Sequence, residues 1–219
     1  MRTLRLGLSL LTLVLLAGCI DLTITLDFRP NGSIRMVQDV ALDKKFASMM
    51  TTGQSTGPKQ HMEESVPELE RAGATNVSVT EAERGEKRHY TLSFEAKDLA
   101  TFQAVVEAMR RSGAGEASPT SEQQNFTLTR QPNGHLVFEQ PLAPPKQDPQ
   151  EGVSPEISQQ MMASLFRDNY ITYRITAPRI VQHNGTTIPK GVEWKISLAD
   201  LMSGKVERTL RAEIATGGG

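Results

Sequence analysis

One cysteine stands among the 219 residues, at position 19. A lone thiol can pair with another chain, react as a free thiol or serve as a site of covalent attachment, and its surroundings decide which. Arg2 and Arg5 precede it, then an apolar run from Leu6 to Leu16 broken only by Gly7, Ser9 and Thr12, then Ala17 and Gly18. A charged start, a short apolar run and small residues form a secretory signal over residues 1–18, cleaved between Gly18 and Cys19. The run falls short of the roughly 20 apolar residues a bilayer-spanning helix needs. Other reactive residue types are scattered. His61, His89, His135 and His183 lie far apart, without the short spacings of zinc ligands. No nucleophile elbow, phosphate-cradling loop or His-Glu-x-x-His occurs. Glu63-Glu64 and the Glu68, Glu70 pair sit in a polar stretch and read as solvated. The chain is therefore expected to be no enzyme, with no catalytic residue, metal or cofactor.

Leu16-Ala17-Gly18-Cys19 resembles the lipobox of bacterial lipoproteins, against the alternative of an ordinary signal with an incidental cysteine. The resemblance implies that Cys19 is lipidated and becomes the first residue of the mature chain. Lipoproteins carry several acyl chains there, and more than one chain is needed for stable anchoring. Ile20 follows the cysteine and Asp21 comes one place later, which by the enteric sorting pattern resembles an outer-membrane destination, if the cell has one.

Cleavage removes Arg2 and Arg5 from the 24 basic residues, leaving 22 against 25 acidic ones, a formal charge of −3. No basic patch invites nucleic acid. With 38% hydrophobic and 22% charged residues, the chain has the composition of an ordinary folded domain.

Elements follow from periodicity. Leu22, Ile24, Leu26 and Phe28 alternate with polar residues, and Ile34, Met36, Val40 and Leu42 follow the turn Pro30-Asn31-Gly32, which predicts a hairpin. Because its first strand begins almost at Cys19, the folded body is expected to sit at the membrane without a tether. Residues 51–60 read as a loop. A short helix is expected over Val66–Ala72, capped by Ser65 with Glu68. Val77 and Val79, the turn Arg84-Gly85-Glu86, then Tyr90, Leu92 and Phe94 predict a second hairpin. Leu99, Phe102, Val105, Val106 and Met109 share one helical face over Leu99–Arg111, with Asp98 as N-cap. Phe126 and Leu128, Pro132-Asn133-Gly134, then Leu136 and Phe138 predict a third hairpin that matches the first in register. An internal duplication or shared turn chemistry would each produce this match.

Residues 141–155 hold five of the 12 prolines and read as a strap. A helix is expected after Ser154 and Pro155, with Ile157, Met161, Met162, Leu165 and Phe166 on its apolar face. The tail returns to strands at Ile171–Ile175, Val192–Leu198 and Val206–Ile214, with turns at Asn184-Gly185 and Met202-Ser203-Gly204. The final residues, 216–219, should be disordered. The sum is one α+β domain over residues 19–215, a curved antiparallel sheet built of hairpins and packed by about three helices.

Two regions together resemble the LppM-type lipoprotein domain of bacteria. One is Gly18-Cys19-Ile20-Asp21 with the strand and Asn31-Gly32-Ser33 that follow. The other is Tyr173-Arg174-Ile175-Thr176-Ala177-Pro178, Asn184-Gly185-Thr186, Val192-Glu193-Trp194-Lys195-Ile196 and Leu210-Arg211-Ala212. Pro178 is followed by Arg179 where the family usually has Gly. The resemblance implies an extracytoplasmic α+β lipoprotein, and in the mycobacterial type a lipid- or glycolipid-binding role. The leading expectation is a non-enzymatic lipoprotein that binds a lipid or other apolar ligand at the bilayer surface. Met161, Met162, Leu165 and Phe166 are candidate contacts, since Met adapts to irregular apolar shapes, and Trp194 is another. Each also reads as core. The alternative is a structural or assembly lipoprotein that binds another envelope protein.

Overall fold

The computed structural model describes residues 20–45, 47–48, 57–112, 126–143, 166–206 and 208–215. Gly18, Cys19, Met161, Met162, Leu165, the expected helix after Ser154, residues 144–155 of the strap and the tail 216–219 lie outside them. Strands β1 (Ile20–Phe28), β2 (Ile34–Asp43), β3 (Thr75–Arg84), β4 (Lys87–Ala96), β7 (Tyr170–Thr176), β9 (Thr186–Ile188) and β10 (Gly191–Ser197) form one sheet, in the order β3-β4-β2-β1-β7-β10-β9. Strands β5 (Thr127–Arg130), β6 (Leu136–Leu142), β8 (Arg179–His183) and β11 (Arg208–Ala215) form a second, in the order β5-β6-β11-β8. Helices α1 (Pro58–Arg71), α2 (Leu99–Arg111) and α3 (Leu198–Met202) complete the described α+β architecture. No described helix is long and apolar enough to cross a membrane.

The alternation in β1 is realised as drawn from sequence. Leu22, Ile24, Leu26 and Phe28 are buried while Asp21, Thr23, Thr25 and Asp27 face the open side of the sheet. β1 is central. It pairs antiparallel with β2, Leu26 opposite Met36, and parallel with β7, Leu22 beside Ile171. A parallel pairing between strands so far apart in sequence leaves no local signal.

All three predicted hairpins form. In the first, Gly32 N–H donates to the Arg29 carbonyl at 3.0 Å and Asn31 Oδ1 accepts from Ser33 N–H. The third repeats this: Gly134 N–H donates to the Gln131 carbonyl at 2.9 Å, and Asn133 Oδ1 accepts from His135 N–H. Both glycines hold positive φ, +84° and +83°, which explains the shared Asn-Gly. The two hairpins lie in different sheets.

Helix α2 has the predicted bounds, and the Asp98 carboxylate accepts from Thr101 N–H at 2.8 Å. Three local expectations are corrected. The loop 51–60 and the short helix at Val66 give way, from Gly57 on, to one helix starting at Pro58. Gly57 is its extended N-cap residue, and Pro58 suits the first turn, where no N–H partner is needed. Ser65 is not a cap but a buried mid-helix residue, its hydroxyl donating to the Met62 carbonyl at 2.7 Å. Burial of Met62 and Leu69 carries the helix through Pro67. Pro141 and Leu142 belong to β6 rather than to the strap. The described part of β5 begins at Thr127 opposite Glu139, so among the described residues Pro141 has Thr209 as its only strand neighbour, where a missing N–H is tolerated. Leu198 extends the alternation of β10 on paper, yet it opens α3 because Ser197 accepts from Asp200 N–H and caps a turn that buries Leu198 and Leu201.

An aromatic chain joins the layers. Phe94 of β4 meets Phe102 of α2 at 6.0 Å between ring centroids, Phe102 meets Phe126, and Phe126 meets Phe138 of β6 at 5.7 Å. Phe138 stacks on Trp194 at 5.8 Å and touches Tyr173 of β7. The second sheet and α2 thus cover the buried face of the first, and these side chains fill the space between the layers.

Candidate functional site

Trp194 was a candidate ligand contact, and its position can be read directly. It is 2% exposed, and its indole N–H donates to Asn184 Oδ1 at 2.9 Å. The same oxygen accepts from Arg211 N–H at 2.9 Å, and Asn184 Nδ2 donates to the Thr209 carbonyl at 2.7 Å. Asn184 therefore latches β10 of one sheet to β11 of the other. Gly185 follows because a Cβ there would stand 2.7 Å from the Trp194 ring and 2.6 Å from Val192. The Asn-Gly pair read as a turn is an inter-sheet lock, and Trp194 offers no free face to a ligand. Phe166, the described member of the other candidate group, is half-buried against the same core.

At the start of β1 the chain is clamped. Asn169, fully buried, donates from Nδ2 to the Ile20 carbonyl at 2.8 Å, and its backbone carbonyl accepts from Leu198 N–H. Asp21 accepts from Tyr170 N–H at 2.8 Å and pairs with Lys87. Ile20 and Asp21 are thus held from the segment before β7, from β7 itself and from β4. Everything at the Phe28 end of β1 lies about 26 Å away, at roughly 3.3 Å per residue.

Two apolar depressions flank α2. Lys97 and Asp98 reverse the chain after β4, so α2 runs back along the sheet, and β5 lies beside it. Between them is a groove of about 400 Å³. Phe102, Val106, Phe126 and Leu128 line it, with Gln103, Glu107 and Arg110 among its polar residues. Gln103 Nε2 donates to the Leu128 carbonyl at 2.9 Å, satisfying part of the outer edge of β5. Glu107 pairs with Arg110, so the rim is close to neutral. The second depression, about 300 Å³, lies where the β1–β2 turn, the start of α2 and the ends of β5, β7 and β11 converge. A third, about 290 Å³, lies beside the start of α1 and is lined by Lys59, Glu63, Glu81 and Tyr90 among others.

The open face of the larger sheet is polar. His89 Nδ1 lies 2.7 Å from Asp39 Oδ2, and Thr91 Oγ1 donates to Asp39 Oδ1 at 2.6 Å. A second histidine–carboxylate pair, His135 and Glu213 at 2.7 Å, sits on the smaller sheet. The hydrogen bond from His135 holds the Glu213 carboxyl below the usual carboxylate range. No histidine lines any of the three depressions. Among the described residues no three His, Cys, Asp or Glu side chains converge as a metal site would require.

The α2–β5 groove was not visible in sequence, because Phe102, Val106 and Leu128 carry the same apolar signal whether they meet a neighbour or a gap. No protein-family model matches the chain, and no curated protein matches it. Among solved structures it is similar to the NMR structure of the folded domain of Mycobacterium tuberculosis LppM, with a TM-score of 0.51 and 14% identity over 90% of each chain. At that identity the likeness is one of fold.

Proposed function

We propose that this chain is a lipid-anchored extracytoplasmic protein of the bacterial envelope, attached through Cys19, and that it binds an apolar ligand such as an acyl chain in the α2–β5 groove. The groove carries the reading. Its volume falls within the range of small-molecule sites, and Phe102, Val106, Phe126 and Leu128 give it an apolar strip among polar groups that would orient a ligand. The clamp on Ile20 and Asp21 supports the anchoring, because a body fixed one residue from the lipid has little freedom to leave the bilayer surface. A non-enzymatic role fits the two histidine–carboxylate pairs, none of whose residues lines any of the three depressions.

Native mass spectrometry of the full chain extracted from its own membrane tests this. The expected result is one non-covalent lipid per chain, reduced tenfold or more in Val106→Arg, which places a charge in the groove wall. No co-purifying lipid in the unaltered protein would overturn it. The second reading, a partner protein of the envelope, is favoured by the edge strands β3, β9 and β8, whose outer backbone groups can pair with another strand. Crosslinking in cells that captures one stoichiometric envelope protein through these edges would support that reading instead.

A further inference from the structure

Of the four edge strands described, β3 is the longest, with 10 residues against 5 in β8, 4 in β5 and 3 in β9. From Ser78 to Arg84 it pairs with β4 without a break, and none of its residues is buried. A long regular edge presents a row of unpaired N–H and C=O groups, and folds blunt such edges with a proline, a bulge, a charge or a covering side chain. The other three edges are blunted. The β8 ladder skips Val181, β9 ends at Pro189, and Gln103 donates to the Leu128 carbonyl of β5.

Strand β3 has polar side chains that could guard it, but they are turned inward. Arg88 of β4 holds Glu83 at 3.0 Å and Glu81 at 3.5 Å. Asn76 Nδ2 donates to Glu95 at 3.3 Å, and Ser78 and Ser93 share a hydrogen bond at 2.9 Å. Each of these contacts draws a side chain onto β4. Among the described residues no backbone hydrogen bond reaches the outer edge of Ser78–Arg84. Val79 and Glu81 stand opposite the buried Leu92 and Tyr90, on the covered side of the sheet, whereas Ser78, Thr80 and Ala82 lie on its open face. The depression beside the start of α1 adjoins this edge through Glu81. Its lining includes one ammonium, Lys59, and two carboxylates, Glu63 and Glu81.

We infer that β3 accepts an added strand from a partner protein. The fitting segment is extended, with an apolar residue opposite Val79, a Lys or Arg opposite Glu81 at the depression, and small or hydroxyl side chains opposite Ser78, Thr80 and Ala82. Main-chain hydrogen bonds would supply the affinity, and cross-strand pairs with the depression would supply the selectivity. A second copy of this chain does not fit. Antiparallel pairing centred on Val79 or Thr80 sets a valine against Glu81, and pairing centred on Glu81 or Ala82 sets glutamate against glutamate. The inference deepens the partner-protein reading above and rests on it. It does not depend on the groove ligand, since the α2–β5 groove shares no residue with β3 or with this depression.

The test is selection of random dodecapeptides displayed on phage, against the full chain held in zwitterionic nanodiscs, with empty nanodiscs as the blank. Enriched peptides should alternate, with an apolar residue two positions from a Lys or Arg. A synthetic copy should slow hydrogen exchange at the outward amides of Ser78–Arg84 tenfold or more. Successive residues of an added strand face opposite edges, so methylating one alternate set of its backbone nitrogens should abolish binding and methylating the other should not. Glu81→Lys should weaken binding tenfold or more with an unchanged urea midpoint, and Glu81→Gln should weaken it less. The two methylated peptides read the strand contact without any protein variant. No enriched peptide, or equal binding of both methylated forms, would overturn the added strand. Enrichment without a basic residue, or an unaffected Glu81→Lys, would overturn the stated partner. Peptides that protect β8 or β9 instead would overturn β3 as the site while leaving the partner reading in place. That wider reading falls separately, when crosslinking in cells captures no envelope protein through any edge.

Discussion

Replacing Asn184 with Ala removes one small side chain from the surface yet should loosen the whole sandwich. The side chain accepts from Trp194 Nε1–H and Arg211 N–H, each at 2.9 Å, and donates to the Thr209 carbonyl at 2.7 Å. Trp194 is 2% exposed, so its indole N–H cannot turn to water once the oxygen is gone. An orphaned buried donor costs about 1–3 kcal/mol, whereas the two contacts to the exposed edge of β11 add about 0.5 kcal/mol or less each because water replaces them. The expected loss is about 2 kcal/mol. For a domain of this size that lowers the melting temperature by about 4–8 °C. Urea unfolding of the full chain, followed by Trp194 fluorescence, measures it. Asn184→Asp keeps the acceptor and loses only the donor to Thr209, so it should cost less than half as much. A loss below about 0.5 kcal/mol for Asn184→Ala, or equal losses for both variants, would refute the lock.

Other expectations follow from particular contacts. Cys19→Ser, expressed in its own cell, should move the protein from the membrane to the soluble extracytoplasmic fraction; retention on washed membranes would contradict the anchor. Pro67→Ala restores a donor inside α1 at an exposed position and should raise stability by about 1–2 kcal/mol in urea unfolding; destabilisation would show that the helix needs the ring. Glu95, Glu83 and Glu213 are held below the ordinary carboxylate value of 4.5, chiefly by hydrogen bonds from Arg29, from Lys44 and from His135 respectively. Depressed carboxylates stabilise the fold above their unfolded value and lose that effect as pH falls through the folded one. The urea midpoint should therefore hold steady from neutral pH to about 5 and fall below 4.5, less steeply in Glu95→Gln; a midpoint that rises on acidification would contradict these pairings.

Much of the frame is legible in residues alone, because a strand with one buried face must alternate and a hairpin must turn. Leu22 to Phe28, the two Pro-Asn-Gly turns and the Asp98-capped helix follow from rules that act within a few residues. What escaped depends on distant partners. β8 and β9 are short and mostly exposed, so no alternation marks them, and they are held by β11 and β10. Leu198 is apolar in either a strand or a helix, and only Ser197 with Asp200 decides. Ser65 and Glu68 spell a cap, but Pro58 and the burial of Met62 start the helix two turns earlier. The depressions beside α2 are shapes left between β5, α2 and the β1–β2 turn, and a gap has no letter in the sequence. The motif expected to carry the anchor, Leu16-Ala17-Gly18-Cys19, is by contrast purely local.

The central claim is that an apolar chain occupies the α2–β5 groove. A diazirine-bearing palmitic acid, photolysed with the full chain in its membrane and mapped by peptide mass spectrometry, tests it most directly. The account predicts labels within residues 102–110 and 126–129, suppressed by Val106→Arg. Labels spread over the surface, or none in these segments, would contradict it.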